Sequence, residues 1–236
     1  MGREVCLVTG VGPGTGRAIV ERFAQTYDVA MLARNEERLN EIAGLTPNTT
    51  PYVCDVTDTA ALTATLEKVR SDLGHPTIVV HNAVGGAFGD FLSIDPEVLN
   101  RNFQVNTMAL LHLAQATAPA MIEAGKGAYV CTGNTSAYRG VANFAGFAPT
   151  KAAQRILCES MARRLGPDGV HVAFVAIDAV IDLAWTRKRY ADKPDDFFCK
   201  PADIAGEVWH LAHQPRSAWS FSSLIRPFGE NWAVSG

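Results

Sequence analysis

A turn rich in glycine is the feature that most constrains how this chain can fold. The apolar run Val5 to Thr9 is followed by a glycine at every second position from Gly10 to Gly16, and apolar residues then recur at helical spacing as far as Tyr27. Glycines allow a tight turn between a buried strand and a helix, and they leave the N–H groups at the start of the helix free to bind a phosphate. The pattern therefore predicts a strand–turn–helix unit that binds a dinucleotide.

The rest of the chain repeats this alternation of strand and helix. Apolar runs typical of buried parallel strands lie near positions 29–33, 51–54, 77–80, 128–132, 170–177 and 222–225. Helical spacing lies near 36–43, 58–73, 96–123, 147–165 and 202–212. Because parallel strands are joined by right-handed crossovers, we predict an α/β fold: a Rossmann-like doubly wound parallel sheet of about seven strands in a three-layer α/β/α arrangement. No linker or repeat interrupts the pattern, so we expect a single domain over residues 1–236.

Composition argues against several classes of function. The 236 residues are 47% hydrophobic and 19% charged, and the net charge is −3, which gives no electrostatic basis for binding nucleic acid or an acidic membrane. The chain has no signal-peptide pattern and no apolar run of ~20 residues, so we expect a cytoplasmic protein without a membrane partner. His210 and His213 share a helical face, but two histidines at this spacing are more typical of a half-exposed helix face than of a ligand set, so no metal site is expected. The five cysteines contain no C-x-x-C pair and are expected to be reduced.

The end of the second predicted strand indicates which cofactor is preferred. A carboxylate there would bind the ribose 2′-hydroxyl of NAD, whereas an arginine would bind the 2′-phosphate of NADP. The chain has Ala33 at the position of the acid, and Arg34 follows it. We therefore expect NADP(H) to be favoured over NAD(H). The alternative is that Arg34 is an exposed side chain with no contact to the cofactor.

The segment Phe147 to Ala153 resembles the active-site helix of the short-chain dehydrogenase/reductase family. The glycine spacing T-G-x-x-x-G-x-G of Thr9 to Gly16 and the N-A-V sequence that begins at Asn82 are similar to other motifs of that family. The resemblance spans nearly the whole chain and implies a dinucleotide site. The residues implied to bind the cofactor are Gly10, Gly12, Gly14, Thr15, Gly16, Arg34, Asp55, Val56, Asn82, Ala83, Val84, Lys151 and Ile181.

The same resemblance implies an incomplete catalytic set. In the family, a tyrosine stands four positions before the catalytic lysine, and a serine stands thirteen positions before the tyrosine. Here Lys151 matches the lysine, but Phe147 and Asn134 stand at the other two positions. Asn106 matches an asparagine that holds a water of the family's proton relay. The part of the site that binds the cofactor is thus expected to be intact, while the usual general acid is missing.

Three hypotheses for the function remain open. The first is an oxidoreductase with a substitute acid. That acid would be Lys151, acting directly or through a water held by Asn106, or else Tyr138. Asn134 could polarise a carbonyl through its amide N–H. The second is the reduction of a substrate that needs no acid at a carbonyl, such as an iminium or a conjugated alkene. The third is an NADP-binding protein without turnover, acting as a sensor or an assembly partner.

The substrate and the partners are less constrained by the sequence. Phe144, Phe147 and Trp185 suggest an apolar lining for the pocket of an unidentified small molecule. The irregular segment at about 178–200 is predicted to form a loop over the substrate. The family resemblance also implies a homodimer or a homotetramer.

Overall fold

A parallel sheet of seven strands organises the part of the chain that the computed structural model describes, residues 2–229. The strands, in chain order, are β1 (Val5–Thr9), β2 (Asp28–Ala33), β3 (Thr49–Val53), β4 (Pro76–His81), β5 (Gly127–Gly133), β6 (Val170–Ile177), β7 (Val180–Ile181), β8 (Phe198–Cys199) and β9 (Ser222–Ile225). The large sheet has the order β3-β2-β1-β4-β5-β6-β9, and every pairing in it is parallel. The predicted fold class is confirmed.

Helices cover both faces of this sheet. They are α1 (Thr15–Phe23), α2 (Glu36–Leu45), α3 (Thr59–Asp72), α4 (Pro96–Phe103), α5 (Ala109–Ala124), α6 (Ala148–Leu165), α7 (Ala184–Arg189) and α8 (Pro201–Ala212). Apolar side chains of α3, α5 and α6 pack on one face, and those of α1, α2 and α8 pack on the other. The three layers follow from this arrangement.

The central strands β1 and β6 are buried along their whole length because both of their faces are covered. In β1, Val5 and Leu7 contribute to the core on one side, while Cys6 and Val8 contribute to the core on the other. Successive side chains of a strand point to opposite faces, so a strand between two helical layers buries every residue. The five cysteines all lie among the described residues and are buried free thiols.

The helical stretch predicted near 96–123 is divided in the structure. A π-helical turn over residues Gln104–Met108 separates α4 from α5. Asn106 lies in this turn and is fully buried. A π-turn inserts an extra residue into the helix and so changes the direction in which nearby groups point. Here it turns the Asn106 side chain toward the loop that follows β4.

The segment at 178–200 is better ordered than its sequence predicts. It contains α7 and the small two-stranded sheet of β7 and β8. The Arg187 guanidinium donates two hydrogen bonds of 2.7 Å to the Asp182 carboxylate and a third, of 2.6 Å, to Asp195. A two-pronged ion pair of this kind fixes the orientation of both side chains.

None of the helices within residues 2–229 combines the length and the apolar character needed to cross a bilayer.

Candidate active site

A large cleft opens at the carboxyl ends of the strands, between the turn after β1 and the segment after β6. It encloses about 1550 Å³ and is lined by the ends of β2, β4, β5 and β6 together with α6. The order in which the strands are added to the sheet reverses here, since β2 lies on one side of β1 and β4 lies on the other. Ligands of doubly wound sheets bind at such a point, so the fold alone marks this cleft as the candidate site.

The glycine turn after β1 forms the floor of the cleft. Gly10 has φ of 73°, and a Cβ there would lie 2.4 Å from the backbone nitrogen of Ala83, so a side chain is excluded. A Cβ on Gly12, in contrast, would meet nothing within 4 Å, which leaves the backbone open toward the cleft. Among the described residues, no side chain caps the N-terminus of α1. The turn therefore fits a pyrophosphate, which the free N–H groups of the helix would bind.

Basic side chains stand at the end of the cleft that lies beside β2. Arg34 follows β2 and lines the cleft with its side chain 80% exposed, and its Nη1 is 4.0 Å from Oδ2 of Asp55. Burial alone would raise the pKa of Asp55, but hydrogen bonds from the N–H and hydroxyl of Thr57, with the charge of Arg34, hold it below its usual value. Arg38 lines the same end and was missed by the sequence analysis. The Asn35 side chain caps α2 by accepting from the Arg38 N–H, which brings this second arginine to the cleft.

Asn82 ties the middle of the cleft together. Its Nδ2 donates to the Gly10 carbonyl at 2.9 Å, and its Oδ1 accepts from the Thr132 hydroxyl at 2.9 Å. The residue thus joins the glycine turn, the end of β4 and the end of β5. Ala83 and Val84 continue the same wall. Bonds that cross three strands hold this part of the cleft in a fixed shape.

Lys151 occupies the deep end of the cleft. Its side chain extends from α6 and only 2% of the residue is exposed. Nζ donates to the Gln154 Oε1 at 2.9 Å and to the Thr132 carbonyl at 3.3 Å. Burial lowers the pKa of Lys151 to about 8, because removal from water disfavours the charged form. A lysine with such a pKa can both give and take a proton near neutral pH.

Two sequence-predicted residues stand beside this lysine. Phe147 precedes α6 and lines the cleft, with its ring centroid 5.8 Å from the Lys151 Nζ. Asn134 follows β5 and also lines the cleft. Its Oδ1 is buried and has no hydrogen-bond partner among the described residues. A buried acceptor without a partner is destabilising, so this oxygen is suited to receive a hydrogen bond from a ligand.

His81 lies behind the lysine as a neutral residue. Burial, with a smaller contribution from the charge of Lys151, lowers the pKa of His81 to about 3. Its Nε2 is 3.2 Å from the Val105 carbonyl and its Nδ1 is 3.0 Å from the Thr9 hydroxyl. Since a carbonyl can only accept, we assign the proton to Nε2, and the Thr9 hydroxyl then donates to Nδ1. Both ring nitrogens are used within the protein, so this histidine has a structural role.

Not every predicted site residue lines the cleft. The Asn106 amide is fully engaged: Oδ1 accepts from the Gly85 N–H, and Nδ2 donates to the Gly85 carbonyl and the Thr150 hydroxyl. Tyr138 lines a second, smaller pocket of about 340 Å³, and its hydroxyl is 2.6 Å from Oγ of Ser222. The structure therefore does not bring Asn106 or Tyr138 into the cleft that holds Lys151.

The aromatic residues predicted for the substrate pocket are divided in the same way. Trp185, which is 61% exposed, and Ile181 line the cleft on the side of the 178–200 segment. Phe144 lines the second pocket instead, and its ring centroid is 6.4 Å from that of Phe147. Phe144 therefore supports the ring of Phe147 from behind, and it does not line the cleft itself.

Comparison with known proteins gives consistent results. A family model described as short chain dehydrogenase matches residues 4–191. Human L-xylulose reductase is 31% identical over 173 residues, which cover 72% of this chain and 69% of that protein. A Staphylococcus epidermidis protein named an uncharacterized oxidoreductase is 29% identical over 226 residues, or 95% of this chain and 97% of the relative. The crystal structure of a metagenomic short-chain oxidoreductase in complex with NADP has a TM-score of 0.82 at 27% identity, covering 96% of this chain and 98% of that one.

Proposed function

The chain belongs to the short-chain dehydrogenase family, and on that premise we propose that it is an NADP(H)-dependent oxidoreductase that works without the family's tyrosine. In this proposal Phe147 stands in place of the tyrosine and Asn134 in place of the serine. The observation that carries the proposal is the position of Lys151, which is buried in the cofactor cleft and has a pKa lowered to about 8. A functional acid near neutral pH thus remains in the site.

The preference for NADP(H) rests on the charge at one end of the cleft. Ala33 supplies no carboxylate for a ribose 2′-hydroxyl, while Arg34 and Arg38 both line this end. Two guanidinium groups favour the doubly charged 2′-phosphate, because charge-assisted hydrogen bonds to phosphate are among the stronger polar contacts. The relative solved with NADP supports the same choice. When bound, this cofactor supplies or accepts a hydride.

We assign the proton to Lys151. The ammonium form would give a proton to the substrate atom that becomes electron-rich as hydride arrives, and the neutral amine would take it back in the reverse reaction. Phe147 has no proton to give, and the Asn106 side chain is already fully bonded. The Asn134 amide would orient the substrate, either by donating to an oxygen or by accepting at its unpartnered Oδ1.

The substrate in this proposal is a small apolar molecule held between Phe147 and Trp185. Phe147 lines the cleft from the residue before α6, and Trp185 lines it from the 178–200 segment.

We further propose that residues 1–236 form one domain and that the 178–200 segment is the substrate loop. We also propose that the protein assembles as a homodimer or homotetramer, as is usual in the family. No nucleic acid or metal enters the proposal.

A second candidate function is an NADP-binding protein without turnover. It is favoured by the absence of a hydroxyl at positions 134 and 147, because the cofactor end of the cleft could then be retained for binding alone. In that case Lys151 would act only as a contact to the cofactor. The two functions make opposite predictions about the oxidation of NADPH.

The experiment that separates them measures NADPH oxidation with panels of carbonyl, conjugated-alkene and imine substrates, in wild type and in Lys151→Met. NADPH affinity is measured in parallel by fluorescence titration. We expect turnover with at least one panel and its loss in Lys151→Met at saturating NADPH. Lys68→Met, which removes an exposed lysine paired with Asp72, is the matched control and should be neutral. Tight NADPH binding without oxidation on any panel would favour the second candidate.

A further inference from the structure

Gln154 is an unusual residue to bury behind an active site. It lies in α6 three positions after Lys151 and has no exposed surface. Its Oε1 accepts from the lysine Nζ, but its Nε2 is buried and has no hydrogen-bond partner among the described residues. An apolar side chain would fill this space without leaving an amide N–H unsatisfied. The presence of a buried amide here therefore indicates that its oxygen is needed to accept a hydrogen bond.

That use follows from the geometry of the lysine. An ammonium group has three N–H donors in a tetrahedral arrangement. Two of them are bound by the Thr132 carbonyl on β5 and by the Gln154 Oε1 on α6, both on regular secondary structure. Fixing two N–H bonds fixes the direction of the third, and Lys151 lines the cleft. We infer that Gln154 is a positioning residue that aims the transferable proton of Lys151 into the cleft.

Three other titratable groups lie near Lys151. His81 on β4 is neutral, with both ring nitrogens engaged. Cys158 on α6 and Cys131 on β5 lie together near the lysine, and burial holds the pKa of Cys158 well above its usual value, so that thiol is protonated. A negative charge on either thiol would raise the pKa of Lys151, but the hydrogen bonds from its Nζ go to the Thr132 carbonyl and to the Gln154 Oε1. Of these two hydrogen-bond acceptors, only the Gln154 Oε1 belongs to a side chain and can be changed by mutation.

Two substitutions at this position should move the titration of Lys151 in opposite directions. Gln154→Met keeps the length of the side chain but removes the acceptor, so the ammonium form should lose stability and titrate about one pH unit lower. Gln154→Glu places a carboxylate at the same distance and should shift the titration upward by a similar amount or more. A purely structural role for Gln154 predicts loss of stability without this pair of opposed shifts.

The titration is read by NMR of protein labelled with carbon-13 at the lysine ε position. The Lys151 signal is assigned by its disappearance in Lys151→Met. Met161→Leu, a volume-conserving change at a buried position further along α6, is the control and should titrate as wild type. If Gln154→Glu does not fold, Gln154→Asn replaces it: the shorter side chain withdraws the carbonyl, so its titration should move downward together with that of Gln154→Met.

The outcomes separate this inference from the proposed function on which it rests. Lys151 titrating at the same pH in wild type and in the Gln154 variants would overturn the inference, whatever the activity. Opposed shifts together with no NADPH oxidation on any panel would support the inference and refute the proposed turnover. If turnover occurs, the alkaline limb of its pH profile should move in the same order as the NMR titrations.

Discussion

Phe147 forms a wall of the cleft beside Lys151, and the substitution Phe147→Tyr would add one hydroxyl to that wall. The ring centroid lies 5.8 Å from Nζ, so a para hydroxyl would share its surroundings with the lysine. A nearby ammonium stabilises the phenolate form and thereby lowers the pKa of a phenol. The substitution would thus supply the positioned general acid that the wild-type chain lacks at this point.

The expected gain in carbonyl reduction can be bounded. A positioned general acid contributes roughly 10²–10⁴ in rate. Because Lys151 already provides a proton in our proposal and Asn134 brings no hydroxyl, we expect the lower end, about 10² in kcat, or about 2.7 kcal/mol of activation free energy. The ring is only partly buried and faces the cleft, so the free energy of unfolding should change by no more than about 0.5 kcal/mol.

The assay is the initial rate of NADPH oxidation with a carbonyl panel at saturating cofactor. Phe144→Tyr is the matched control, because it adds the same hydroxyl to the adjacent ring, which lines the second pocket. It should leave the rate unchanged. A Phe147→Tyr protein that binds NADPH as wild type does but reduces carbonyls no faster would refute the assignment of Phe147 to the position of the family's tyrosine.

Three further predictions follow from the site. Arg34→Ala should weaken NADPH binding about tenfold, the value of one exposed charge-assisted contact, and leave NADH binding nearly unchanged in fluorescence titrations; equal losses for both would contradict the choice of cofactor. The kcat of reduction should fall as pH rises through about 8, since the acid is the ammonium form of Lys151; a limb near the ordinary lysine pKa would exclude this role. His81 has its folded pKa lowered from 6.5 to about 3, so the unfolded chain binds the proton first and stability is lost as pH falls below 6.5. Between pH 6.5 and 5 this loss should reach about 1.6 kcal/mol in wild type and be absent in denaturation curves of His81→Asn.

The sheet and its helices could be predicted because their signals are local. A strand buried on both faces is mostly apolar, as in Val5–Thr9 and Val170–Ile177, whose bounds match the sequence prediction. The residues expected to bind the cofactor could be predicted for a similar reason. Its residues follow directly after strands, and the carboxyl ends of parallel strands meet at one edge of the sheet. Each residue predicted to bind the cofactor lines the cleft.

The placement of several other residues could not be predicted from their positions in the chain. Tyr138 follows β5 closely, yet its hydroxyl is paired with Ser222, and Arg155 lies over its ring. The Asn106 side chain is committed to the loop after β4 by the π-turn. Each of these outcomes depends on a contact between segments that are distant in sequence or on an irregular turn.

The sequence by itself determined the architecture, the position of the glycine turn and the identities of Phe147, Asn134 and Lys151, because these follow from residue type and spacing. Only the tertiary structure decided what Lys151 can do. Its pKa is set by the layers that exclude water from it, and the direction of its N–H groups is set by Thr132 and Gln154. Desolvation and hydrogen-bond geometry depend on which groups surround a side chain in space, and those groups come from two different elements of the fold.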